Sequence, residues 1–63
     1  MNREESPIVF TIIRRDDGLT IYTKDPRGKH LKADASNFEL IRYMTAISLE
    51  LNERGYAVLF EVD

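Results

Sequence analysis

Apolar residues recur along the chain at two distinct spacings, separated by short polar turns. The segment "IVFTIIR" (8–14) is β-branched and aromatic, too short for a free-standing helix, and ends against the turn signal "DDG" (16–18). It reads as a first strand. "LTIYTK" (19–24) sets Leu19, Ile21 and Thr23 against Thr20, Tyr22 and Lys24, the period of a half-buried second strand. "DPRG" (25–28) then offers Asp at the first turn position, Pro with its φ already set at the second, and Gly28 where a positive φ costs little. A second hairpin is predicted.

With a type I turn and a bulge at Gly28, Asp25 faces Lys29, Lys24 faces His30, Thr23 faces Leu31 and Tyr22 faces Lys32. Ile21, Thr23, Leu31 and Ala33 then turn inward, and Tyr22, Lys24, His30 and Lys32 outward. The first strand does not sort in this way. Both of its alternating sets, Ile8-Phe10-Ile12 and Val9-Thr11-Ile13, are apolar enough to face a core, so it reads as buried on two sides with its register open.

From "SNFE" (36–39) the period changes. Ser36 can cap a helix and Glu39, three residues on, can close a capping box; the body runs to about Arg54, and Gly55 stands where a left-handed residue ends helices. At about 100° per residue Leu40, Ile41, Met44, Ile47 and Leu51 gather on one stripe, with Asn37 and Ser48 at its edge. "YAVLFEV" (56–62) resumes the strand pattern.

The order is βββαβ, and a right-handed crossover lays the last strand parallel to the first. The predicted fold class is therefore α+β: a three-stranded antiparallel meander, one amphipathic helix packed on one sheet face, and a final strand added beside strand one, giving the sheet order 4-1-2-3. Residues 7–63 form a single small domain, and the polar, mixed-charge residues 1–6 a flexible tail.

One helix covers one sheet face, which leaves apolar surface over. Tyr22, Leu59 and one set of the first strand fall on the uncovered face, while Phe38 and Leu49 project together away from the Met44 stripe. Phe38, Leu49, Tyr22 and Leu59 are accordingly the candidate protein-interface residues. A homodimer or larger assembly would cover both the free face and the edge strands.

Size strengthens that expectation. A chain of 63 residues buries only about 60% of the surface its unfolded form exposes, and with no cysteine it has neither disulfides nor thiolate zinc sites to add stability. Apolar residues at 43% and charged residues at 32% are ordinary globular usage, which excludes a wholly disordered chain. No run approaches the roughly 18 apolar residues of a membrane span, and "MNREESP" lacks the apolar stretch of a signal peptide. A cytoplasmic protein is expected, in the host cytoplasm if the gene is viral.

Charge is segregated within a formal net −2. In "KDPRGKHLK" (24–32), Lys24, Arg27, Lys29 and Lys32 against Asp25 give +3, whereas residues 33–63 carry six acids and two Arg, a net −4. As a two-stranded basic ribbon, Lys24, Arg27, Lys29, His30 and Lys32 could track phosphates with Tyr22 available to stack, or orient an acidic protein partner.

Catalytic chemistry is poorly provided for. His30 is the lone histidine and cysteine is absent, so no Cys–His pair exists, and a Ser–His–Asp set would have to form on an exposed hairpin. The acidic pairs Glu4–Glu5, Asp16–Asp17, Glu50–Glu53 and Glu61–Asp63 read as tail, turn, solvated helix face and chain end. They do not suggest acid–base dyads or a calcium loop, and the isolated glycines form no phosphate-cradling loop. No catalytic, metal, cofactor or small-molecule site is expected.

The sequence thus predicts a non-enzymatic protein-interaction module, a homodimeric adaptor or an inhibitor that acts by binding a protein partner. Its alternative is a β-ribbon nucleic-acid-binding protein using hairpin 24–32.

Overall fold

The computed structural model describes residues 6–63, so all of the expected tail except the exposed Ser6 lies outside the described residues. Four strands and one helix follow in order: β1 (Ile8–Arg15), β2 (Gly18–Tyr22), β3 (Ala33–Ala35), α1 (Leu40–Glu53) and β4 (Val58–Val62). They form one sheet of order β3-β2-β1-β4 in which β4 runs parallel to β1 and the other neighbours are antiparallel. This is the α+β architecture and strand order that the periodicities predict.

The open register of the first strand is now fixed. Ile8, Phe10 and Ile12 are buried beneath α1, and Val9, Thr11 and Ile13 lie on the other, open face. Ile12 pairs with Ile21 on one side and Val62 on the other, and Phe10 with Phe60, so the core rows run across the sheet. The Phe10 and Phe60 rings meet at 5.7 Å between centroids, tilted by 36°. Ile47 and Leu51 of α1, with Leu19, Ile21 and Ala35, complete the core; burial of each large side chain stabilises by about 1.5–3 kcal/mol.

Both helix ends form as predicted. Ser36 and Glu39 close the capping box, the Ser36 N–H donating to Glu39 Oε1 at 3.2 Å, although residues 37–39 make a 3-10 turn and the regular helix starts at Leu40. Gly55 has φ +90° and its N–H donates to the Asn52 carbonyl, while that of Tyr56 reaches Leu51, both at 3.0 Å, the paired bonds of a Schellman end.

The helix face needs one correction: Ile41 is not a core residue. It is 71% exposed, and Tyr43 packs against the core in its place. Leu40, Met44, Ile47 and Leu51 centre the stripe, and at about 100° per residue Tyr43 falls about 70° from that centre but Ile41 about 90°.

A second correction concerns the hairpin after β2. Its ladder keeps the predicted alignment, with Ile21 opposite Ala33 and Leu19 opposite Ala35. However, β2 ends at Tyr22, and Lys29–Leu31 is a 3-10 turn, so the facing pairs of Lys24 with His30 and Asp25 with Lys29 do not form as a ladder. Side chains divert the chain here: Thr23 Oγ1 donates to the Val9 carbonyl at 2.6 Å and accepts the Asp25 N–H at 3.1 Å. Gly28 has φ −126°, not a positive value; it is glycine for want of space. A Cβ there would lie 3.0 Å from Phe10 Cζ and 3.4 Å from Ile8 and Leu51 methyls, so this loop stoppers one end of the core.

Candidate interaction surfaces

The basic stretch divides into a locked part and a free part. Asp25 accepts from the Arg27 backbone N–H and from Nε, both at 2.9 Å, and a second guanidinium nitrogen completes a bidentate pair. The hydrogen bonds from the Arg27 side chain, then its backbone, hold the Asp25 carboxyl at about pKa 2, against an ordinary 3.8. Arg27 also reaches the Ser6 carbonyl at 3.2 Å and lies 5.2 Å over the Tyr56 ring. It fastens the loop, and its guanidinium is already shared among these groups. Lys24, Lys29, His30 and Lys32 remain exposed.

Those exposed cations do not sit on a two-stranded ribbon, because residues 24–32 are loop and 3-10 turn. Lys29 and Lys32 instead border a shallow depression on the open sheet face with Ile13, Arg15, Thr20 and Tyr22. On the far side of Tyr22 a second depression is lined by Val9, Thr11, Lys24, Asp25, Glu61 and Asp63. Tyr22, paired with Thr11, therefore stands between a basic half and a mainly acidic half. Arg15 in the basic half is within 3.6 Å of Asp34 and 3.8 Å of Asp17.

A different surface runs along the outer side of β4. Ile41, Met44, Thr45, Ser48 and Leu49 of α1 and Phe60 of β4 line an almost wholly apolar groove of about 370 Å³. Leu49 within it is 58% exposed, and Val62 beside it 72%. On the open-face side of the same strand, Leu59 is 54% exposed and pairs with Val9. Among the described residues, five of the six exposed large hydrophobics thus flank β4; the sixth, Phe38, stands 98% exposed in the 3-10 turn before α1.

The backbone of β4 adds to this surface. The Ile8 N–H donates to the Ala57 carbonyl at 2.9 Å and the Asp63 N–H to Ile12 at 3.0 Å, which sets the odd-numbered residues of β4 toward β1. By the alternation of a parallel ladder, Val58, Phe60 and Val62 turn their N–H and C=O groups to the free edge.

Of the four interface residues predicted from sequence, the structure places Leu49 and Leu59 on opposite sides of the β4 edge, Tyr22 at the middle of the open face, and Phe38 alone. Ile41, Val62 and Val9 are exposed apolar residues that the sequence reading did not single out. Ile41 sits at the margin of the helix stripe, and Val9 and Val62 fit a buried strand pattern; the exposure of Val62 follows from β4 being outermost.

His30 is exposed and forms no hydrogen bond or ion pair among the described residues. Also among the described residues, no three His, Asp or Glu side chains gather as they would around a metal ion, and no helix is long and apolar enough to cross a membrane. Comparisons with protein-family models, with curated proteins and with solved structures each found no match.

Proposed function

We propose that the protein acts by binding another protein chain, as a homodimeric adaptor or as an inhibitor that caps its partner, and not by catalysis. The observation that carries this reading is the gathering of Ile41, Leu49, Leu59 and Val62 around one open strand edge. A chain of this size has little apolar area to spare, so leaving that much outside the core is unfavourable unless a partner covers it. Lys24, Lys29 and Lys32 would orient an acidic partner during encounter, while the apolar side chains supply contact area.

The test pairs light scattering with affinity capture from the native cells, using wild type and Leu49→Asp. The reading expects either self-association or a stoichiometric protein partner, and its loss in Leu49→Asp with an unchanged circular dichroism spectrum. A protein that neither self-associates nor retains any partner dependent on Leu49 contradicts it.

A second reading is nucleic-acid binding, favoured by one observation: Lys29 and Lys32 border the depression beside the Tyr22 ring. The locked Arg27 and the acidic Glu61 and Asp63 on the same face weigh against it. Retention of a short duplex or single strand that disappears on charge reversal at Lys29 and Lys32, and weakens as salt rises, would establish it in place of the first.

A further inference from the structure

We infer that the partner of the β4 edge is a second copy of this chain, joined by antiparallel pairing of β4 with itself about a two-fold axis at Phe60, so that two four-stranded sheets become one. This rests on the protein-binding reading and commits it to a geometry.

The edge is self-complementary in three respects. Val58, Phe60 and Val62 turn their backbone groups outward, and in an antiparallel match centred on Phe60 they face Val62, Phe60 and Val58 of the other copy. Each of these facing pairs is then the type that exchanges both of its N–H···O=C bonds. The register also keeps like charges apart on the open face: Glu61 meets Leu59, and Asp63 meets Ala57. Sliding the match to centre on Val62 would set Glu61 against Asp63, two acids opposed.

Side chains agree with that axis. It stands perpendicular to the sheet, so both helices lie on the same side of the joined sheet and run antiparallel past each other. The groove lined by Ile41, Met44, Leu49 and Phe60 on one copy faces its duplicate, with the small Thr45 and Ser48 at the centre where close approach is easiest. Nothing on β4 guards against such pairing: it holds no Pro and no Lys, and its one charge, Glu61, belongs to the open face.

The test measures mass by light scattering over a concentration series for wild type, Val62→Pro and Ile13→Asp. Proline at 62 removes an N–H that β1 does not use, so the fold is kept while the edge loses a donor. Val62→Lys is the second variant should circular dichroism show that proline disturbs the fold. Expected is a dimer in wild type and Ile13→Asp, and a single chain with a native spectrum in the Val62 variants. The chain has no cysteine, so Leu59→Cys mixed with Glu61→Cys should in addition oxidise to a covalent heterodimer, those positions facing one another at about the Cα separation a disulfide accepts.

A wild type that stays a single chain at every concentration overturns the inference, and if it still retains a Leu49-dependent protein partner, the binding reading survives while self-pairing does not. A dimer that persists in the Val62 variants and dissociates in Ile13→Asp overturns it in favour of packing between open faces. A dimer in which the cysteine pair fails to oxidise rules out the register centred on Phe60.

Discussion

The two edges of the sheet are built on opposite principles. β3 is three residues long, and its ladder to β2 uses Ala33 and Ala35, leaving only Asp34 with its backbone toward solvent. The Asp34 carboxylate accepts the Thr20 hydroxyl at 2.7 Å and lies near Arg15, a charged and short edge that discourages a further strand. β4 is five residues long, turns three apolar residues to its free side and has apolar neighbours on both faces. Strand addition is disfavoured at the short, charged β3 edge and unhindered at the β4 edge.

The largest expected effect breaks β4 itself. Phe60→Ala removes the ring that packs on Phe10 and should cost about 3 kcal/mol by denaturant titration, with the sheet losing β4 before β1 and β2. At the opposite edge, Gly18→Ala places a Cβ about 2.5 Å from the Ala35 carbonyl oxygen, at a residue with φ +153°. It should cost about 2 kcal/mol and detach β3 while leaving association through β4 intact. Equal loss of association in both variants would remove the distinction between the edges.

Smaller effects sharpen it. Gly28→Val drives methyls into Phe10, Ile8 and Leu51 and should cost about 1–2 kcal/mol, whereas Gly55→Ala, with open space around it but φ +90°, should cost about 1 kcal/mol. Asp25 links this loop to pH. The unfolded carboxyl takes up a proton near its ordinary 3.8 while the folded one waits until about 2, so in that window the unfolded state binds more protons. Its contribution is present above about pH 4 and lost as pH falls toward 2; acid titration of Asp25→Asn should lack that component. The smallest effect is Asp34→Ala, exposed and expected to change stability by no more than about 0.5 kcal/mol.

How much the sequence revealed follows from how local each signal is. Ser36, Glu39 and Gly55 act within a few residues of themselves: the capping box and the Gly55 end form as predicted, with a 3-10 turn between Ser36 and the start of α1. The strand order followed from the two-sided first strand and the handedness of the crossover. What remained hidden depends on contacts distant in sequence. Thr23 ends β2 by bonding Val9, fourteen residues away, and Gly28 is required by Phe10 and Leu51, neither of which the turn signal "DPRG" can report. The interface candidates Leu49 and Leu59 were legible as apolar residues with no assigned core position. That they flank one edge, together with Ile41 and Val62, emerges only when β4 is placed outermost.

The most direct test of the β4 edge as the association site is amide hydrogen exchange of that strand at low and high protein concentration. Leu59 and Glu61 should be protected at both concentrations, because their N–H groups belong to the ladder with β1. Val58, Phe60 and Val62 should exchange freely when dilute and become protected as copies pair. If those three amides stay unprotected at a concentration where light scattering reports a dimer, the copies meet elsewhere and the edge account is wrong.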